Sequence, residues 1–254
     1  MIPKGCITKV FALLLGAGLV CPLKDLFSTP LKQEYTIGQV DPSLYLYPIV
    51  ADWYQRIGTK VRYLPMPMER SAMEADSGRV DAELSGGSTI PKRYKNLRKI
   101  PTSLTTVDIS MFSIKHASIK PQEIFRYKVA APIGYEFLDY SIKGFKDHVL
   151  FLVKPIQVAG MLFEGRVDVA ISENSTMLKA LLDYKKNAKS RQFPKIQLLP
   201  KPLAQVELFH WVHKSNAPII PFLNQELIKI KKERVIELAK EKYTLDLLNF
   251  LNRR

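Results

Sequence analysis

Cysteine is almost missing from this chain. Of 254 residues only Cys6 and Cys21 are cysteines, and both precede the body of the sequence. That body therefore offers no disulfide, no thiolate metal ligand and no cysteine nucleophile. The four histidines, His116, His148, His210 and His213, form no His-Glu-x-x-His pair. The strand-like alternation from Glu207 to Ser215 sends His210 and His213 to opposite faces, so neither a metal nor any other cofactor is expected. Acidic residues are also scarce, 24 against 38 Lys and Arg, for a formal net charge of +14. Such an excess raises nucleic acid, an anionic membrane surface or acidic ligands as partners without choosing among them. The cations are spread along the chain rather than gathered into a basic arm. The densest group, Lys185, Lys186, Lys189, Arg191 and Lys195, reads as the solvated face of a polar connecting stretch. No recognised nucleic-acid motif accompanies the charge, and nucleic acid is not an expected partner.

Long hydrophobic runs are missing as well. The apolar stretch Val10 to Val20 covers 11 residues, about half of the roughly twenty that a membrane-spanning helix needs. It follows Lys4 and Lys9 and gives way to Cys21, Pro22 and a polar segment, which is the layout of a secretory signal peptide over residues 1–28. Export to the periplasm is the expectation. Gly18-Leu19-Val20 lacks the small residue that belongs directly before a lipidated cysteine, so lipid anchoring at Cys21 is not expected.

What remains has 46% hydrophobic and 24% charged residues overall, which excludes collagen-like, disordered and coiled-coil readings and suits one large domain or two small α/β lobes. The pattern alternates strands and helices. Tyr35 to Gln39 reads as a strand. Pro42-Ser43 introduce a helix carrying Leu46, Ile49, Val50, Trp53 and Ile57 on one face, stopped by Gly58. Val61 to Leu64 is a strand, Met68 to Ser77 a helix stopped by Gly78, and Val80 to Leu84 a strand. After a basic polar loop, Pro91 to Arg98, comes a long strand-like stretch, Thr105 to Ile114. The same grammar then repeats: a strand at Tyr127 to Ala131, a helix led by Pro132 to Tyr135, a strand at His148 to Val153, a helix at Ile156 to Phe163, and a strand at Val167 to Ile171. The matching Gly78-Arg79-Val80-Asp81 and Gly165-Arg166-Val167-Asp168 turns suggest an internal repeat. A return strand, Val206 to Val212, and two amphipathic helices, Pro218 to Lys232 and Arg234 to Leu251, complete the chain. This order predicts an α/β fold of two lobes, each a mainly parallel sheet flanked by helices and joined by two crossovers. Lobe one covers residues 33–112 and 204–254, and lobe two covers residues 113–203.

Several motifs in shared order resemble the bacterial extracellular solute-binding proteins of family 3, the polar amino-acid binders with the type II periplasmic-binding-protein fold. They are Tyr47-Pro48 with Trp53-Tyr54 and Gly58, the run Pro65 to Ser71, Gly78 to Leu84, Gly165 to Glu173, and Leu223 to Leu227 leading to Lys242-Tyr243. The resemblance implies capture of a small polar, amino-acid-like solute between the lobes for an ABC-type permease or a sensor, by a monomer without enzymatic activity. It implies a first-lobe arginine that forks onto a ligand carboxylate. The usual Thr-x-Glu-Arg context is replaced here by Ser88-Thr89-Ile90-Pro91-Lys92-Arg93, which leaves Arg93 as the nearest counterpart. It also implies a second-lobe carboxylate for a ligand amino group, at Glu173. Glu83 is a further carboxylate candidate and Arg70 a further guanidinium, while Tyr45, Tyr47, Phe112 and Tyr135 are the aromatic candidates for holding an apolar ligand body. The alternatives are an enzyme on the same fold, such as a cyclohexadienyl dehydratase-like lyase that would need a carboxylate acting as general acid, or a degenerate receptor domain that no longer transports.

Overall fold

In the computed structural model, which describes residues 31–39, 45–88, 90–133, 142–188 and 193–252, two long antiparallel strands tie everything else together. They are β5, Thr105–Ser113, and β10, Ala204–His213. Both are rich in β-branched and aromatic residues, which fit a pleated surface packed on both sides. The sheet runs β2-β1-β3-β10-β5-β8-β6-β7. On one side β1 (Glu34–Gln39) lies parallel to β2 (Lys60–Pro65) and β3 (Ala82–Gly87). On the other side β6 (Val129–Pro132) lies parallel to β7 (Val149–Leu152) and β8 (Val169–Glu173).

The register shows how β5 and β10 serve both halves. Thr105 to Ile109 of β5 pair with Leu208 to Ala204 of β10, whereas Ile109 to Phe112 pair with Glu173 to Ala170 of β8. Leu208 to Val212 of β10 pair in turn with Gly87 to Ala82 of β3. Two short strands complete the sheet: β4 (Leu97–Lys99) on β10 and β9 (Gln197–Leu198) on β5. Residues 32–254 form one compact unit, and the sheet runs through it without a break.

Helices cover both faces. α1 (Leu46–Arg56) buries the expected stripe, with Trp53 and Tyr54 fully enclosed. α2 (Met68–Asp76) begins after Pro67, whose fixed φ suits a helix start. In the second half α3 (Pro155–Phe163) and α4 (Asn174–Asn187) pack on Phe112, Ala130 and Ala170. α5 (Ile220–Lys232) and α6 (Val235–Asn252) close the chain, and Leu247 and Leu251 of α6 reach the core formed by α3 and α4.

Three expectations shift. β3 and β8 begin two residues later than the hydrophobic pattern indicates, because Gly78 to Asp81 and Gly165 to Asp168 are spent on turns with positive φ at each glycine. Lys185 and Lys186 belong to α4 rather than to a connecting stretch, and Lys189 and Arg191 lie outside the described residues. The basic loop Pro91 to Arg98 contains a short 3₁₀ turn, Ile90–Lys92, and the start of β4. The helix expected after Tyr135 also falls outside the described residues.

Candidate functional site

β8 ends at Glu173, and α4 begins at the next residue. The two carboxylate oxygens of Glu173 accept from the backbone N–H groups of Ser175, at 2.9 Å, and Thr176, at 2.8 Å. This capping satisfies two donors that the first turn of a helix leaves orphaned, and it places a negative charge at the positive end of the helix dipole. Glu173 is buried, yet its residue forms part of the wall of a cavity of about 350 Å³. Val107 and Asp108 of β5 supply one wall, Asn174 and Ser175 of α4 another, and Lys240, Glu241 and Thr244 of α6 a third. The Lys240 ammonium is held to the Thr106 carbonyl at 2.9 Å.

Tyr45 stands close to this group. Its hydroxyl lies 3.4 Å from the Thr105 hydroxyl, and its ring lies 5.9 Å from that of Tyr243 on α6. Burial pushes the Tyr45 phenol well up from its ordinary value, and the negative charges of Glu173 and Glu237 push it further, so it remains a neutral hydroxyl at every physiological pH. Two acceptors in this region, Asn174 Oδ1 and Glu237 Oε2, are shut away from water and make no hydrogen bond. Buried acceptors of this kind are normally paired, so the region has unused capacity for a hydrogen-bond donor.

The first-half candidates gather elsewhere, around α2. Glu83 on β3 is 2% exposed and accepts a short hydrogen bond from the Ser71 hydroxyl. Burial raises its carboxyl to about 8, with the Ser71 bond opposing the shift, so Glu83 is protonated at neutral pH. Gly38 permits this approach, since a Cβ there would run into the Ser71 side chain. The Arg93 guanidinium meets Glu69 at 2.6 Å and the Arg70 guanidinium meets Glu74 at 3.5 Å, with both arginines exposed. Both arginines therefore already hold a carboxylate on α2. Tyr47 is buried, with its ring edge-on to Tyr63 at 4.9 Å, and its carbonyl accepts from the Tyr63 hydroxyl.

Phe112 requires correction. It is 0% exposed and packs among Ala130, Val158 and Leu178. Alternation along β5 turns it toward α3 and α4, which makes it a core side chain. Tyr135 lies outside the described residues. Thr105, Asn174 and Lys240 had no sequence signal that distinguished them from ordinary strand and helix residues. Tyr243 did carry one, as a member of the apolar stripe of the last helix, but periodicity alone assigns such a residue to packing.

Among the described residues no group of His, Cys, Asp or Glu is arranged to hold a metal ion, and no helix is long and apolar enough to cross a membrane.

No family model matches the sequence, and no curated protein matches it either. Solved structures do match. A histidine kinase sensor domain with similarity to periplasmic binding proteins superposes with a TM-score of 0.66 at 15% identity, covering 82% of this chain and 94% of that one. An ancestral arginine-binding protein bound to glutamine gives 0.66 at 18% identity, over 84% and 99%. The solute receptor for L-cysteine of Neisseria gonorrhoeae gives 0.63 at 17% identity, over 85% and 91%. The chain thus has the type II periplasmic-binding-protein fold that its resemblance to the family 3 solute-binding proteins implies.

Proposed function

We propose that this chain is an exported, non-enzymatic solute-binding protein of the periplasm, acting as a monomer that captures a small polar solute carrying an amino group. The observation that carries this reading is the buried group of Glu173, the neutral Tyr45 hydroxyl and the unpartnered acceptors of Asn174 and Glu237, with Glu173 and Asn174 in the wall of a largely apolar cavity beside β5. Unpartnered acceptors beside a carboxylate favour an ammonium group, which is all donor. An amino-acid-like solute fits this chemistry. Binding of glutamine by one structural neighbour and of L-cysteine by another points the same way.

In this reading the two lobes are residues 33–112 with 204–254 and residues 113–203, and β5 and β10 would act as the paired crossovers. Tyr47, Arg70, Glu83, Arg93 and Tyr135 are the further ligand contacts of this proposal. Reaching a ligand would oblige Arg93 to leave Glu69 and Arg70 to leave Glu74. Exposed ion pairs of this kind are worth at most about 1 kcal/mol, so a ligand carboxylate is able to displace them. The loaded protein would present its solute to an ABC-type permease or to a sensor.

The test is a thermal-shift screen of the purified protein against amino acids, small amines and small carboxylates. A ligand held at about one hundred times its Kd raises stability by about 2.7 kcal/mol, a shift of several degrees for a domain of this size. At least one amine-bearing compound is expected to give such a shift. A flat response to every amine, or a response to carboxylates alone, overturns the assignment.

A further inference from the structure

We propose that the surface around β4 is a docking site for the anionic headgroups of a phospholipid bilayer. From Leu84 to Val107 the sequence contains no Asp or Glu, whereas it contains Lys92, Arg93, Lys95, Arg98 and Lys99. All five cations are exposed. The fold adds a sixth: the Lys214 backbone N–H donates to the Asn96 carbonyl at 2.7 Å, which brings exposed Lys214 beside β4. Among the described strands β4 pairs with β10 alone, so these charges sit at a sheet margin.

The neighbouring acids are already engaged. Glu69 pairs with Arg93, Glu74 pairs with Arg79 and Arg70, and Asp76 accepts from the Asn96 backbone N–H. The Arg98 guanidinium is braced by the Lys95 and Leu97 carbonyls, and the Lys99 ammonium sits 4.1 Å from the Phe209 ring centre. These contacts hold the Arg98 and Lys99 side chains in place, and neither is paired with a described carboxylate.

The absence of anchors identifies the partner. Protein interfaces depend on a few apolar or aromatic side chains that fill pockets. The exposed large hydrophobic residues among the described residues all lie outside residues 84–107 and 209–214. A single-stranded nucleic acid needs aromatic faces for stacking, but Tyr94, Phe209, His210 and Trp211 are buried, and the half-buried His213 ring lies against Gly78 and bonds the Ser215 hydroxyl. What remains is a group of exposed cations, of which Arg98 and Lys99 are held in place and Arg93 is paired with Glu69. Such a group suits a layer of anionic headgroups, where each Lys or Arg adds to the attraction and salt weakens it within a Debye length.

The experiment is co-sedimentation of the purified protein with phosphatidylcholine vesicles that contain, or lack, about 30% phosphatidylglycerol. The wild-type protein, a K92E/K95E/R98E/K99E variant and a K143E/K154E/K186E/K201E control with the same charge change are compared. Binding is expected only with the anionic lipid, and it should weaken at least tenfold between about 0.05 M and about 0.3 M NaCl. The β4 variant should lose at least about tenfold in affinity and the control less than about threefold. A milder K92Q/K95Q/K214Q variant covers the case in which charge reversal prevents folding, and it should lose several-fold with an unchanged melting point. Equal losses in patch and control variants, equal binding to neutral vesicles, or binding to duplex DNA or an acidic protein in place of vesicles overturns the proposal. Solute-induced thermal shifts in the β4 variant are read separately, so failure of lipid binding and failure of solute binding are distinguishable.

Discussion

The Asp81 carboxylate accepts from the Thr36 backbone N–H at 2.8 Å and from the Thr36 hydroxyl at 2.9 Å, while the Asp81 N–H donates back to the Thr36 carbonyl at 2.9 Å. The arrangement recurs in the other half. The Asp168 carboxylate accepts from the Lys128 N–H at 3.0 Å, and the Asp168 N–H donates to the Lys128 carbonyl at 2.8 Å. Each aspartate follows a glycine with positive φ at a helix end, where the next N–H bonds back five residues: Arg79 to Glu74, and Arg166 to Met161. The Gly-x-Val-Asp match is therefore a repeated structural device. It ends a helix and fastens the following turn to the start of a neighbouring strand.

This pairing predicts acid sensitivity. Burial alone would raise the Asp81 carboxyl, but the Lys32 ammonium, both Thr36 donors and Asn216 outweigh it and hold the group below its usual range. The Lys128 N–H is the main cause of the same lowering at Asp168. Lowered folded-state values give stability that is complete above the ordinary carboxylate pKa and lost as pH falls through the lowered values. Asp81→Asn and Asp168→Asn should each cost about 1–3 kcal/mol at pH 7 and nearly nothing at the acid end. Urea midpoints followed from pH 7 to pH 3 check this, and a cost that does not change with pH would refute it.

Much of the fold was legible because period and punctuation coincide: Trp53 lies on the stripe of α1, and Gly58 and Gly78 fall at helix ends. What stayed hidden was pairing between distant positions. Tyr45 against Tyr243 depends on how the chain returns through α6, and Arg93 against Glu69 on how the stretch after β3 folds back onto α2; no local pattern records either. Phe112 was misjudged for a related reason. Its place in a crossover strand was readable, but which face of that strand α3 and α4 cover was not.

His210 gives the second prediction. Fully enclosed, it bonds the Leu84 carbonyl through Nδ1 at 2.9 Å and meets the Tyr54 hydroxyl at Nε2 at 2.7 Å. The carbonyl requires Nδ1 to carry the proton, so Tyr54 donates to Nε2 and the ring is neutral. Desolvation lowers its pKa to about 4, against the opposing pull of the Leu84 and Glu83 backbone groups. The unfolded chain takes up a proton near the ordinary histidine value, so the contribution is complete above about pH 6.5 and lost as pH falls toward about 4. Tyr54→Phe leaves Nε2 unpaired and should cost about 1–3 kcal/mol at pH 7. Equilibrium unfolding of the variant, with its pH profile, measures the effect.

Glu83 predicts the opposite slope. Its folded-state value of about 8 lies above the ordinary carboxyl value of 4.5. The folded chain therefore retains a proton that the unfolded chain releases, and this group's contribution is complete below about pH 4.5 and lost as pH rises toward about 8. Glu83→Gln keeps the shape and removes the titration. It should stabilise the protein by an amount that grows between pH 5 and pH 8, reaching on the order of 3 kcal/mol. A variant no more stable than wild type at pH 8 would show that the carboxyl ionises in place.

Glu173 separates structure from binding in the proposed site. Its carboxylate already caps α4 through the Ser175 and Thr176 N–H groups, so a loss of ligand affinity in an alanine variant is open to a structural explanation. Glu173→Asp and Glu173→Gln divide the two roles. A side-chain oxygen in Gln still accepts from the helix N–H groups, which limits the capping loss to about 1 kcal/mol, but the negative charge facing an ammonium is gone. Asp keeps the charge and is itself a good capping residue, but it draws the charge back by one methylene. With the solute found in the thermal-shift screen, titration calorimetry should show Gln losing at least about tenfold in affinity and Asp losing less, with both variants melting within a few degrees of wild type. Tyr45→Phe should lose only a few-fold, because its neutral hydroxyl supplies one hydrogen bond and no charge. If Gln binds as tightly as wild type, Glu173 serves the helix alone, and the amine-binding role passes to another acceptor of the cavity wall.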